Sequence, residues 1–403
     1  MIVYTLGPDE EESPLEVDFI ELRPDLTHLT TVSQKVVLTK QPPNSIASFC
    51  DISFPESFHQ FRVAFPFVKW IYSFHGPFIS YENTLRLLQK MDQNTPDLLK
   101  VCFDRISFSD YLELKPLFSL YKDRLILFAQ GEECQATRIL SFLWGARWIY
   151  TSKNGLYGQI PLKELLEIYQ IKRLTRETSL YGLIKGKKSP PSIGYKLYNP
   201  LFAREKIDAL YLNLPVEENE VEKVLKSDLF QGFSITMPFK EIAYRLCKTL
   251  APCATNCRAV NTYVLGVGYN TDIEILKTLS LGGKRVAILG GGGVAKAFAR
   301  FLKNSCEVHL FVRCKKKRDA IERELQLKVS LLDDWQSDFD MLIDTLPVYD
   351  LGLTIQKGIQ ILDTKLSHNP EYEKFPLFIS GKEMFLAQGK QQLKIFFKKE
   401  FVL

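Results

Sequence analysis

One stretch constrains the fold of this chain more than any other. The apolar run Lys284–Leu289 leads into Gly290-Gly291-Gly292-Gly293 and then into a helical pattern over Val294–Leu302. Glycines between a strand and a helix let the backbone approach a pyrophosphate, whose charge the helix N-terminus favours. A strand at Glu307–Arg313 follows, with further strands at Met341–Asp344 and Gln360–Asp363. This series predicts a doubly wound nucleotide-binding unit, with Gly290, Gly291, Gly292, Gly293, Val294 and Ala295 against the nucleotide. An acidic residue some 20 positions on would select NAD. This chain instead reads Val312-Arg313-Cys314-Lys315-Lys316-Lys317-Arg318. Cations at that strand end suit a 2′-phosphate, so NADP is the expected cofactor, with Arg313 and Lys317 as contacts. A solvated basic turn is the alternative.

The first 170 or so residues have a different rhythm, with short β-rich runs at Asp18–Arg23, Lys35–Thr39, Val68–Phe74, Leu98–Phe103, Arg124–Phe128 and Arg147–Thr151. Between and after them lie amphipathic stretches such as Tyr81–Met91 and Leu162–Tyr169. Strands in series with helical crossovers imply a parallel sheet, and many such units imply an α/β barrel. A polar, basic stretch from Lys172 to Ser189-Pro190-Pro191 marks a junction near residue 175. A standard barrel takes about 250 residues, so a barrel ending near residue 175 is a compact one.

Composition narrows the function classes. With 46% hydrophobic and 25% charged residues, the chain has the balance of a soluble globular protein. A net charge of +5, from 52 Lys+Arg against 47 Asp+Glu, is too small to argue for nucleic acid. No stretch is long and apolar enough to suggest a membrane span, and Met1–Pro14 lacks a leader pattern. Eight scattered cysteines suit reduced thiols in the cytoplasm. Cys253 and Cys257 have no partner pattern that would make a metal site, so none is expected.

Two constellations carry chemistry. In the first half, His75 ends the strand Trp70-Ile71-Tyr72-Ser73-Phe74, and Lys100 sits within Leu98–Phe103 one helix later. The two should lie on neighbouring parallel strands. Burial lowers a lysine's pKa, and an amine so perturbed attacks a carbonyl to form an imine. A histidine beside it can carry protons. Glu21, Arg23 and Asp25 alternate along one strand and share a face, either turned to water on an edge strand or turned into a site. The Glu-x-Arg-x-Asp strand, the Ser-x-His strand end and the later lysine resemble type I 3-dehydroquinate dehydratase. Ala136-Thr137-Arg138-Ile139 and Gly158-Gln159-Ile160 are similar to that family's substrate motifs. The resemblance implies that Lys100 forms an imine with the substrate ketone and His75 moves protons, oriented by Glu21. It also implies that Arg138 grips the carboxylate and that Arg23 and Gln159 meet hydroxyls. Lys40 stands where the family has an arginine, Gln41–Asn44 replaces its next acidic residue, and Gly155 stands in place of a serine.

In the second half, Gly232-Phe233-Ser234-Ile235-Thr236-Met237-Pro238-Phe239-Lys240 runs a strand into a proline-started helix. A lysine there has the wrong sign for the helix dipole, so another group must hold it. Ala259-Val260-Asn261-Thr262 and Asn270-Thr271-Asp272 follow. In this order the motifs resemble shikimate dehydrogenase from Tyr181 to about Lys398, with Gly381-Lys382-Glu383-Met384 and Gln388 similar to its last motif. The resemblance implies a proton-transfer pair of Lys240 and Asp272 and hydride delivery from NADPH to 3-dehydroshikimate. Ser192, Ser234, Thr236, Asn261 and Gln388 would hold the substrate, and Met384 would lie at the cofactor. Ser192 is the one hydroxyl left of the family's serine pair, and Ser234 replaces an asparagine.

The two reactions are consecutive, so the expectation is a bifunctional α/β enzyme: a compact (β/α) barrel followed by a two-lobed dehydrogenase unit with a Rossmann NADP domain. The expected divisions are 1–175 for the barrel, 176–277 completed by 380–403 for the second substrate domain, and 278–379 for the nucleotide domain. Its partners would be 3-dehydroquinate, 3-dehydroshikimate and shikimate, with no nucleic acid or membrane. The rivals are a dehydrogenase with an inert barrel scaffold and a non-catalytic metabolite sensor.

Overall fold

The structure is a computed structural model. It describes every residue except 8–9, 11–13, 24–34, 40–46, 56–61, 147, 190–191 and 349–351. The chain divides into two compact units, Met1–Leu183 with Pro190–Ser227, and Ile184–Ser189 with Asp228–Leu403.

The first unit is built on a parallel sheet whose strands follow chain order. These are β1 (Ile2–Thr5), β2 (Phe19–Leu22), β3 (Lys35–Thr39), β4 (Ala47–Ser53), β5 (Lys69–Gly76), β6 (Leu98–Phe103), β7 (Leu125–Ala129), β8 (Ile149–Ser152) and the two-residue β9 (Ile160–Pro161). The order across the sheet is β7-β6-β5-β4-β3-β2-β1-β8-β9. Pairing of β8 with β1 curls the sheet as in a barrel, and among the described residues β7 and β8 are not paired with each other. Every residue of β6 and β7 is buried, as expected of parallel strands covered on both faces. Helices connect β5 to β6 (Tyr81–Asp92), β6 to β7 (Phe108–Glu113 and Lys115–Tyr121) and β7 to β8 (Gln135–Trp144). Tyr81–Asp92 starts at Ser80, whose side chain accepts from the Asn83 N–H, and it buries Thr84, Leu87, Leu88 and Met91 at helical spacing. Truncating the fully buried Leu88 to Ala would cost about 2–5 kcal/mol. Near the strand N-termini, Trp148 stacks on Phe19 at 4.9 Å and meets Phe49 edge-on at 4.6 Å, which fills the sheet interior at that end. The same unit holds residues Ser179–Leu183 of β10 (Ser179–Gly186), together with β11 (Ala209–Val216).

The second unit opens with the end of β10. There, Ile184 O accepts from the Thr236 N–H at the close of β12 (Phe230–Ile235). The strands β14 (Thr262–Val264) and β15 (Val267–Tyr269) extend this arrangement antiparallel, and β13 (Thr249–Leu250) pairs parallel with β15. The strands β16 (Arg285–Leu289), β17 (Glu307–Val312), β18 (Lys328–Leu331), β19 (Met341–Asp344), β20 (Gln360–Asp363) and β21 (Phe378–Ile379) form a separate, wholly parallel sheet. Its order, β18-β17-β16-β19-β20-β21, is the doubly wound 3-2-1-4-5-6 pattern, with the switch point beside β16. One face buries Val286, Ile288, Phe298, Leu310 and Ile343, and the other buries Ala287, Leu289, Phe311 and Leu342.

Candidate active sites

In a parallel strand, alternate residues share a face. In the first unit this alternation brings Asp51 and Ser53, Ser73 and His75, Lys100 and Cys102, and Phe128 and Gln130 to one cavity of about 340 Å3. Glu21, Arg23, Arg138, Tyr150, Tyr157 and Gln159 line the same cavity. Ser73 stands opposite Lys100 in the register, so His75 lies one step toward the rim, and it is exposed. Lys40 and Asp25 lie outside the described residues.

The walls are wired. Glu21, 2% exposed, accepts from the Thr5 hydroxyl at 2.6 Å and the Thr39 hydroxyl at 2.8 Å, one on each oxygen. The Gln159 amide donates at 2.9 Å to the same Thr5 hydroxyl. Arg138, 4% exposed, lies 4.2 Å above the Phe128 ring and donates through Nη2 to Tyr157 O at 3.1 Å. Burial brings its guanidinium down to about 10. Its Nε and the Gln159 Oε1 are buried without partners, two polar atoms left for something in the cavity. The half-buried Arg23 stacks over Tyr157 at 5.1 Å.

Lys100 corrects one expectation. Its Nζ is 2.7 Å from Asp51 Oδ2, with both side chains at 5% exposure or less, and lies 4.5 Å over the Tyr150 ring. Burial is the largest single influence and works against the charge. The neighbouring Asp51, supported by Glu21, outweighs it, and the amine is held above its ordinary value. The lowered amine expected from burial alone is therefore reversed, because β4 supplies a carboxylate that the sequence reading did not place. Tyr150 was also missed. Its hydroxyl is buried without a partner at hydrogen-bonding distance, although Lys100 is close enough to favour its ionisation. Burial dominates and keeps the phenol protonated.

In the second unit, Lys240 begins the helix Lys240–Leu246, and its Nζ is 2.7 Å from Asp272 Oδ2. This is the group that holds a cation against the helix dipole. Asn261 donates to the other Asp272 oxygen at 3.0 Å, and its own carbonyl oxygen accepts from the Thr271 N–H at 2.8 Å. The Asn270 side chain accepts from the Asp272 N–H, which fixes the backbone that carries the carboxylate. Ser234 donates to Gln392 Oε1 at 3.1 Å, and Gln392 donates to Asn261 O at 3.3 Å. Gln392 lies one helical turn beyond the expected Gln388, on the helix Gly381–Phe397; Gln388 itself is half-buried. Thr236 is half-buried at the end of β12. Ser192 falls in the first unit, where it accepts from the Gly194 N–H at 3.3 Å.

The glycine loop fits a dinucleotide. Gly290 has φ +115°, and a Cβ there would stand 2.3 Å from Thr345 Oγ1, so no other residue keeps this turn. A Cβ on Gly291 would meet Ile321 at 2.4 Å, while Gly292 and Gly293 face open space at the start of the helix Gly293–Leu302. Val294 is half-buried and Ala295 buried on the inner side of that helix. Arg313 and Lys317 are exposed where β17 gives way to the helix Lys315–Leu325. Met384 is buried among the core residues of the nucleotide sheet.

Comparison with known proteins bears on the domains that hold these residues. Residues 50–176 match the type I 3-dehydroquinase family, and residues 184–263 match the shikimate dehydrogenase substrate binding domain. The chain is 26% identical to the shikimate biosynthesis protein AroDE of Chlamydia pneumoniae, over 94% of this chain and 90% of that protein. It is also 26% identical to the chloroplastic bifunctional 3-dehydroquinate dehydratase/shikimate dehydrogenase of Arabidopsis thaliana, over 79% of this chain and 61% of that protein. Among solved structures, shikimate dehydrogenase from Aquifex aeolicus matches with a TM-score of 0.50 at 26% identity, over 57% of this chain and 96% of that one. The chain carries a type I 3-dehydroquinase domain followed by a shikimate dehydrogenase substrate binding domain, and over 79% of its length it resembles a protein named for both activities.

Proposed function

We propose that this chain dehydrates 3-dehydroquinate to 3-dehydroshikimate in the first unit and reduces that product to shikimate in the second, using NADPH. The observation that carries the reading is the single cavity in which Lys100, His75, Glu21, Arg23, Arg138 and Gln159 converge from separate segments. Its volume of about 340 Å3 is within the range of small-molecule sites.

In this reading Lys100 attacks the substrate ketone and holds it as an imine. His75, at the rim, takes the proton that the iminium acidifies and returns it to the leaving hydroxyl. Arg138, fixed by Phe128 and Tyr157, receives the carboxylate, and its unpartnered Nε supplies a donor. Gln159 and Arg23 meet hydroxyl groups. In the second unit NADPH supplies hydride when bound. Lys240 and Asp272 pass a proton to the developing alkoxide, while Asn261, Thr236, Ser234 and Gln388 orient the ring hydroxyls. Gly290 to Gly293, Val294 and Ala295 would hold the pyrophosphate, Arg313 and Lys317 the 2′-phosphate, and Met384 would contribute at the cofactor.

The domain division that goes with this reading is 1–175, 176–277 with 380–403, and 278–379. The cytoplasm is its compartment, supported by eight cysteines that form no disulfide. No helix among the described residues is long and apolar enough to cross a membrane. Borohydride with 3-dehydroquinate should leave a reduced adduct on Lys100. Dehydration that proceeds at full rate with no adduct on Lys100 sinks the imine mechanism, whereas no dehydration at all leaves an inert barrel beside a dehydrogenase.

A further inference from the structure

The reading above leaves the first proton unaccounted for. Paired with Asp51, Lys100 is an ammonium, and an ammonium has no lone pair with which to attack a ketone. Something lining the cavity must take its proton. Of the groups there, Glu21 already accepts a hydroxyl on each oxygen. Burial keeps the Cys102 thiol and the Tyr150 phenol protonated, so neither accepts a proton. Arg23 and Arg138 are cations, and His75 stands opposite Cys102 in the register, one step farther out than Lys100, where it serves the later substrate proton. Asp51 is different. Its Oδ2 lies 2.7 Å from Lys100 Nζ, it is 4% exposed, and it is the one carboxylate within ion-pair distance of Lys100 among the described residues.

Resting on the imine reading, we propose that Asp51 is the acid–base catalyst of imine formation, taking the proton from Lys100 and giving it to the oxygen that leaves as water. Substrate entering the cavity displaces water and removes solvation from both ions, which favours the neutral pair of amine and carboxylic acid. The amine lone pair then forms the C–N bond while the ketone π pair moves to oxygen. A proton passes from nitrogen to that oxygen, giving a carbinolamine. Asp51 protonates the carbinolamine hydroxyl, the C–O bond breaks to release water, and the nitrogen lone pair closes the iminium. Asp51 is again a carboxylate and now faces the iminium cation. The sum is ammonium plus ketone giving iminium plus water, with charge and hydrogens conserved. The Tyr150 hydroxyl, buried beside Nζ without a partner of its own, is placed to donate to the ketone oxygen during attack.

A mere counter-ion makes the opposite prediction, which makes the idea testable. If Asp51 only restrains the charge on Lys100, removing its charge frees the amine and speeds attack. If Asp51 moves the proton, removing it slows attack. The experiment mixes the full chain with 3-dehydroshikimate, whose ketone reports imine formation alone. NADPH is left out so that the second site stays silent. Samples are quenched into borohydride at intervals, and the adduct on Lys100 is measured by mass spectrometry. Asp51→Asn should form adduct about 100-fold more slowly than the natural chain, the lower range for a lost acid–base group. Asp51→Ala should be equally slow and regain rate with added formate. Adduct formation by Asp51→Asn within ten-fold of the natural rate, or faster, overturns the proposal, as does a slow Asp51→Ala that formate leaves unchanged. Failure of the natural chain to form any adduct is a separate result, and it removes the imine reading itself.

Discussion

Lys240 Nζ and Asp272 Oδ2 stand 2.7 Å apart, and the other oxygen of the same carboxylate is held by the Asn261 amide at 3.0 Å. The lysine is 15% exposed and the aspartate 2%, so the cation reaches the open side of the pair and the anion is its buried anchor. That asymmetry suits a lysine that meets substrate and an aspartate that positions it. Replacing Lys240 with Ala should lower NADPH-dependent reduction by about 100-fold or more. Asp272 keeps its Asn261 partner in that variant, so the stability loss should stay near 1–3 kcal/mol, the scale of one lost charge-assisted bond. Steady-state reduction and urea unfolding measure the two effects separately. Unaltered turnover would remove Lys240 from the reaction.

The cofactor assignment can be tested through charge. Arg313 and Lys317 are exposed at the strand end where a ribose lies in such folds. Lys315, Lys316 and Lys317 also crowd the first turn of a helix, where cations are disfavoured unless an anion joins them. Arg313→Glu should cut the preference for NADPH over NADH by about 10- to 100-fold in kcat/KM, the equivalent of one charge-assisted contact of about 1.5–3 kcal/mol. Lys317→Glu should move it the same way. A preference that survives both changes places the 2′-phosphate elsewhere.

How far the sequence could be read follows from what each motif depends on. The glycine loop and the Lys240/Asp272 pair rest on local chemistry at fixed spacing, so they were legible, with boundaries off by one residue at Gly293 and Val312. The cavity residues of the first unit were legible where they alternate on an apolar strand, as with Lys100. The strand β4 was not. Ala47-Ser48-Phe49-Cys50-Asp51-Ile52-Ser53 mixes Phe49 and Ile52 with Ser48, Asp51 and Ser53, so it lacks a clean apolar run, and Asp51 and Ser53 are polar because they face the cavity. Missing that strand meant missing Asp51, and with it the direction in which Lys100 is shifted. Gln392 was missed for another reason. Gln388 and Gln392 are one turn apart on one helix, and only tertiary packing shows which of them reaches Ser234.

The Thr5 hydroxyl ties two cavity residues together by accepting from Gln159 at 2.9 Å and donating to Glu21 at 2.6 Å. Thr5 is fully buried, and Val matches its shape without the hydroxyl. Thr5→Val should therefore leave a buried amide and a carboxylate oxygen short of one partner each. The expected loss of stability is about 1–3 kcal/mol, read by urea unfolding. Gln159 loses its tether in the same variant, so KM for 3-dehydroquinate should rise more than kcat falls. A larger effect on kcat than on KM would mean that the hydroxyl acts on the reacting centre instead.

The resemblance to the dehydratase family puts Gly155 where that family carries a serine, and the backbone here disfavours any side chain. Gly155 has φ +76° and ψ 41°, the left-handed region, and a Cβ on it would lie 2.8 Å from Gln159 O. A side chain in that conformation costs about 1–2 kcal/mol before any clash, and the clashing atom belongs to the backbone of a cavity residue, which cannot swing aside. Gly155→Ser, although it restores the family's hydroxyl, should lower the thermal midpoint and reduce kcat/KM for dehydration by displacing Gln159. The NADPH-dependent reduction serves as the internal reference in the same preparation. A Gly155→Ser chain that dehydrates faster than the natural one at unchanged stability would show that this loop admits a serine and that the missing hydroxyl, more than the backbone, limits the first site.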